Sequence, residues 1–310
     1  MKSGAQLVLV LCSVLFCGAA MAAGEPPLYV GVLEDGQAFP GYHQFPILSA
    51  KPHVRIAFRK QGADWLPIDT NYPNPTALEV ANSAYPSAVD WTVVFDGKAV
   101  GRISSRNPGP LHWFADLGVQ IITTDLANVP GFSAGAKDFE YTTGAASGRP
   151  LLVVSQPNFL DPEHWRPTTL SAAEKALAIQ ALRKIVPRMP QCEQPETQGT
   201  MVPYADNEII FIKAYRSASN EVFFGERLDG KKSICGWFND EHFFDYWFVL
   251  TPGQGLRPLG HGLMPMEAAD LDNSGKSEWI FHSLRGEDSE GYELYYDDFS
   301  KLASFHWSEH

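Results

Sequence analysis

Apolar residues along this chain fall mostly in short runs bounded by Gly, Pro, Asn, Asp and Ser, the pattern of strands and turns. It predicts strands at Leu28–Leu33, Val54–Arg59, Trp91–Phe95, Ala99–Ser104, Val119–Thr124 and Leu151–Val154. After a break come Glu208–Tyr215, Glu221–Glu226, Tyr246–Leu250, Glu278–His282, Tyr292–Tyr296 and Ala303–Trp307. Asp96-Gly97, between two of these runs, is a tight hairpin signal, and Asp229-Gly230 has the same turn chemistry.

One segment has helical character. Ser171-Ala-Ala-Glu174 has the spacing of a capping box. The run to Val186 is rich in Ala, Leu, Lys and Gln, with Leu177, Ala181, Leu182 and Ile185 assigned to one apolar face, and Pro187 stops it. Residues 187–200 then read as a loop and a soft boundary. The expected organisation is one mainly-β domain over 23–310 with a helical insertion near 168–200. Short antiparallel sheets repeated with turns must bury their edges, as a propeller does; a pair of β-sandwiches is the alternative. At roughly 40–60 residues per blade, this length allows about five to seven blades.

Residues 1–22 have the anatomy of an export signal. Lys2 supplies the positive start, Leu7–Phe16 is an apolar run too short to span a bilayer, and Ala20-Met21-Ala22 gives the small-x-small cleavage pattern. The expected location is periplasmic or secreted, with no membrane span after signal cleavage. Removal of the leader also removes Cys12 and Cys17, leaving Cys192 and Cys235. An even pair in an exported chain reads as one disulfide.

Composition narrows the function classes. With 45% hydrophobic and 19% charged residues, the chain is globular. Its formal charge of −12 argues against nucleic acid and anionic membrane as partners, since both need clustered positive charge.

The most specific chemistry lies in Asp270-Leu-Asp-Asn-Ser-Gly-Lys-Ser-Glu278. Asp270, Asp272, Ser274 and Glu278 place oxygen-bearing side chains at alternating positions, Gly275 permits a sharp turn, and the carbonyl of Lys276 adds a backbone oxygen. Hard oxygens around a tight loop are what Ca²⁺ requires. An EF-hand needs a glutamate where Phe281 stands and a helix where a β-type run follows. The loop instead resembles the calcium loop of FG-GAP and VCBS-type repeats of integrin-like β-propellers, D-x-D-G-D-G-x-x-D before an apolar strand. Asp270, Asp272, Gly275 and the strand match; Asn273 replaces a glycine, while Ser274 and Glu278 replace aspartates. The resemblance covers about residues 266–310. It implies a propeller blade, a structural Ca²⁺ and a binding or adhesion role.

Other signals are weaker. Trp237, Asp240, Glu241, His242 and Asp245 lie in a dense aromatic and acidic stretch that suits a ligand patch or the carboxylates of a glycan hydrolase. His242, His261, His282, His306 and His310 crowd the last part of the chain; His306 and His310 have i, i+4 spacing, but on a terminal β-type run rather than a helix, and no HExxH is present. Gly131-Phe-Ser133-Ala-Gly135 matches a nucleophile-elbow string but lacks a strand before and a helix after it. The Glu287-Asp288-Ser289-Glu290 group reads as a solvated turn. The reading is an exported, non-catalytic binding or structural protein with a calcium loop, its partner a polysaccharide or another envelope protein. An extracytoplasmic hydrolase acting on glycans is the alternative.

Overall fold

The computed structural model describes residues 27–36, 51–68, 85–109, 116–126, 129, 150–158, 160–191, 200–228, 245–284 and 289–308. The chain is mainly β, with three antiparallel sheets, a two-stranded ribbon and one α-helix among the described residues.

The first sheet has seven strands: β1 (Tyr29–Glu34), β2 (His53–Gln61), β3 (Asp64–Pro67), β4 (Ala88–Phe95), β5 (Lys98–Arg106), β6 (Val119–Ile122) and β7 (Leu151–Val154). Their order is β1-β7-β4-β5-β6-β2-β3, with β1 also paired to β2. The hairpin expected at Asp96-Gly97 joins β4 to β5, both turn residues having positive φ. The second sheet has the order β14-β13-β12-β11-β8. It comprises β8 (Arg166–Pro167), β11 (Ile209–Arg216), β12 (Val222–Leu228), β13 (Asp245–Thr251) and β14 (Gly255–His261). β9 (Met189–Gln191) and β10 (Thr200–Val202) form the ribbon. The last sheet is a four-strand meander of β15 (Leu263–Ala269), β16 (Glu278–Leu284), β17 (Ser289–Tyr296) and β18 (Lys301–Ser308).

The meander lies between the other two sheets, and strand alternation explains how it serves both. Successive side chains of a strand point to opposite faces. Ile280 of β16, Tyr292 and Leu294 of β17, and Ala303, Phe305 and Trp307 of β18 join a core with Val30, Ile56, Phe58 and Trp91 of the seven-stranded sheet. Trp279 and Phe281 of β16 and Tyr295 of β17 instead pack with Trp165, Phe223 and Trp247. Phe223 is stacked on Trp247 at 4.8 Å and lies 4.7 Å from Trp279, ring centre to ring centre. Gly225 makes the stacking possible: a Cβ there would sit 2.9 Å from the Trp247 ring.

Helix α1 (Ala172–Ile185) covers the far face of the five-stranded sheet. Its capping box forms as expected, with Ser171 Oγ accepting from Glu174 N at 3.3 Å and Ser171 N donating to Glu174 Oε2 at 2.7 Å. Arg216 of β11 donates to the other Glu174 oxygen at 2.8 Å, fixing the helix start to the sheet. The expected apolar face is corrected. Ala178 and Leu182 are the fully buried pair, while Leu177 and Ile185 are exposed. Ala178 is small enough to bring the helix close to Phe224 and Phe248, and that approach turns Leu177 and Ile185 outward.

The described architecture is thus a stack of sheets with one helix; a ring of blades is not shown. No helix among the described residues is long and apolar enough to cross a membrane. The leader, Cys192, Cys235, Gly131–Gly135 and Asp229-Gly230 lie outside the described residues.

Candidate metal centre

β15 ends at Ala269 and β16 begins at Glu278, so residues 270–277 connect two paired strands of the meander. The loop is anchored inward by Leu271, which is buried in the core shared with the seven-stranded sheet. It is shaped by two residues in left-handed backbone, Asn273 (φ 59°) and Gly275 (φ 84°). Asparagine tolerates that region through its short polar side chain, and glycine enters it without a Cβ penalty.

This shape turns backbone N–H groups toward the acids. Asp270 Oδ1 accepts from Ser274 N at 2.9 Å, and Asp270 Oδ2 accepts from Gly275 N at 2.8 Å. Asp272 Oδ1 accepts from Ser274 N at 3.0 Å, and the Ser274 hydroxyl also bonds Asp272. One Glu278 oxygen accepts from Leu271 N at 2.7 Å; among the described residues no donor reaches the other. One oxygen each from Asp270, Asp272 and Glu278 lies within 4.8 Å of the others. Among the described residues this is the one group of three or more His, Cys, Asp or Glu so placed.

The electrostatics follow from that convergence. Burial pushes the Glu278 carboxyl up to about 8, and the charges of Asp272 and Asp270 push the same way. Asp272 is also raised by burial, but the Lys60 ammonium and the Ser274 hydroxyl outweigh this and hold it below its ordinary value.

Three residues outside the loop hold it from the junction between the sheets. Gln156, just after β7, donates through Nε2 to the Asp270 carbonyl at 2.7 Å. Glu163 Oε2 accepts from Ser277 N at 3.1 Å, and Asp161 Oδ1 accepts from Ser277 Oγ at 3.0 Å. The segment running from the first sheet to β8 therefore wraps the loop. Sequence reasoning missed these residues and Lys60, because they lie more than a hundred positions away with nothing local to mark them. Beside the loop opens a cleft of about 650 Å³ lined by Tyr29, Asp90, Ser155, Gln156, Asp272 and Asn273, among others.

Among the described residues, the other sequence-derived candidates form no second group of this kind. Asp245 is buried in a bidentate pair with Arg227, Oδ1 to Nε at 2.6 Å and Oδ2 to Nη2 at 2.9 Å. Trp237, Asp240, Glu241 and His242 lie outside the described residues. His282 sits 3.6 Å from Glu290, and His306 sits 3.2 Å from Glu293. Lys276 pairs through its ammonium with Asp298.

The side chains that meet in the loop, Asp270, Asp272 and Glu278, offer oxygen alone. Hard oxygen ligands suit Ca²⁺, which takes about six to eight of them, whereas nitrogen and sulfur donors would suit zinc or copper. Three carboxyl oxygens that meet within 4.8 Å of one another, two of them on buried side chains, are the feature a divalent cation would satisfy. Comparison with family models, with curated proteins and with solved structures gives no match for this chain.

Proposed function

We propose that this chain is an exported, non-catalytic binding protein in which residues 270–278 hold a structural Ca²⁺. The observation that carries the reading is the meeting of Asp270, Asp272 and Glu278 oxygens within 4.8 Å of one another at the buried base of a loop whose tip is exposed. Asp270, Asp272 and Glu278 would hold the ion, with Ser274 and the Lys276 carbonyl completing the protein's share. The ion would supply charge neutralisation and cross-bracing, binding the β15–β16 turn to the segment that carries Gln156, Asp161 and Glu163. The β15–β18 meander is the unit that the FG-GAP resemblance describes as a blade.

The neighbouring cleft supports the binding role. Its size suits a medium-sized ligand, and its lining mixes apolar residues such as Leu28 and Val89 with polar ones such as Ser155, Gln156 and Asn273. Among the described residues its lining includes Asp90 and Asp272 and no Arg, Lys or His, which favours a neutral, hydroxyl-rich partner such as a polysaccharide over an anion.

Thermal unfolding of the mature chain tests the reading. Calcium is expected to raise the midpoint over excess chelator, because a ligand of the native state stabilises it by mass action. In the Asp270→Ala, Asp272→Ala double variant the two curves are expected to coincide. Identical curves for the unsubstituted chain would sink the proposal.

A further inference from the structure

We infer that Lys60 acts as the loop's internal cation, occupying Asp272 when calcium is absent and competing with calcium for it. Lys60 thereby sets the calcium affinity and links the loop to the β2–β3 hairpin. The inference rests on the calcium reading above and concerns how that site is regulated.

Lys60 belongs to β2 and lies 212 positions before Asp272, yet its ammonium is in direct contact with Asp272 Oδ2. Asp272 Oδ1 is already taken by the Ser274 N–H, so both oxygens of this carboxylate are engaged. The contact is shielded, with 16% of the Lys60 side chain and 11% of the Asp272 side chain exposed. Salt screens such a pair much less than a surface one.

The ammonium is also caged. It lies 5.0 Å from the Trp65 ring centre and 5.9 Å from that of Tyr296, and it donates to the Ala63 carbonyl at 3.4 Å. Trp65 is its direct cross-strand partner on β3. Aromatic faces attract a cation, so the cage can retain Lys60 after it yields Asp272 to a metal. The hairpin is tied to the meander a second time by Lys301 and Asp64 at 2.9 Å. Tyr296 of the meander also bonds the Asp64 side chain and the Trp65 backbone, so release of Lys60 loosens one tie and leaves the hairpin attached by the others.

Charge counting gives the direction. A single ammonium balances only one of the clustered carboxylates, so a dication is still attracted. It must, however, win Asp272 from a cation tethered to the same chain. Removing the ammonium removes the competitor and leaves the donors in place. A lysine stem also covers apolar surface, and methionine keeps most of that contact.

The test is isothermal titration of CaCl₂ into the mature unsubstituted chain and into its Lys60→Met, Lys60→Gln and Lys60→Arg variants. Thermal unfolding in chelator and in calcium is run alongside. Two charge-removing variants are made so that loss of fold in one leaves the other to decide. Lys60→Met and Lys60→Gln are expected to bind calcium at least about tenfold more tightly, a difference of about 1.4 kcal/mol. They are also expected to melt lower in chelator and to gain more from calcium than the unsubstituted chain. Lys60→Arg is expected to stay within about threefold of it. Equal or weaker calcium binding by both charge-removing variants would overturn the inference while leaving the calcium site standing. No calcium binding by any of the four chains would overturn both.

Discussion

Asn273 Nδ2 donates to Gln156 Oε1 at 2.7 Å, joining the tip of the candidate metal loop to a residue that follows the last strand of the first sheet. Gln156 is almost fully buried and uses its whole amide, since its Nε2 donates to the Asp270 carbonyl. Its own carbonyl accepts from Thr92 Oγ1 of β4 at 2.7 Å. One side chain therefore transmits the position of the first sheet to two residues of the loop. Gln156→Leu would leave the Asp270 carbonyl and the Asn273 amide without this partner. The expected cost is about 1–3 kcal/mol of stability. Urea unfolding of the two chains measures it; a loss below about 0.5 kcal/mol, the range of neutral surface changes, would contradict the bracing role.

Glu226 of β12 supplies a pH-dependent expectation. It is fully buried, and among the described residues neither carboxyl oxygen has a hydrogen-bond partner. Burial pushes its carboxyl from the ordinary value of 4.5 up to about 8. The folded chain thus holds this proton more tightly than the unfolded chain. Its contribution to stability is full below 4.5 and is lost as the pH rises through about 8. Glu226→Gln keeps the shape and removes the ionisation. Relative to the unsubstituted chain, the variant is expected to gain up to about 1.4 kcal/mol per pH unit across that window. Urea midpoints at several pH values give the difference curve, and a flat curve would refute the assignment.

Gly225 tests the packing between the five-stranded sheet and the meander. A Cβ at this position would fall 2.9 Å from three atoms of the Trp247 ring. Trp247 cannot retreat freely, because its Nε1 donates to the Leu263 carbonyl at 2.6 Å and its ring stacks on Phe223. Gly225→Ala is expected to destabilise by about 1–3 kcal/mol, the usual cost of overpacking a filled core. A stabilised variant would mean that the ring stack is looser than described.

The strands that were legible in the sequence are those whose burial is written locally. Leu151–Val154 has the same ends in sequence and structure, since Pro150 and Ser155-Gln-Pro157 bound a four-residue apolar run. β14 and β15 were not legible, because Pro258 and Pro265 break their patterns. Both are edge strands, where a missing N–H costs no ladder bond, and in β15 the register shifts between Pro265 and Glu267. The helix was legible through Ser171 and Glu174, but its buried face was not: whether Leu177 or Ala178 turns inward depends on Phe224 and Phe248 of another element. The same division holds at the site. Asp270, Asp272 and Glu278 are contiguous enough to read as a loop, whereas Lys60, Gln156 and Glu163 reach it only through the fold.

The central claim is that residues 270–278 hold one calcium ion. Equilibrium dialysis of the mature chain against calcium, followed by metal analysis, addresses it directly. The expected result is one calcium per chain, abolished by Asp270→Asn combined with Glu278→Gln, since that pair removes two of the three carboxyl ligands that meet in the loop. A chain that retains no calcium, or one whose retained calcium is unaffected by those substitutions, would contradict the account.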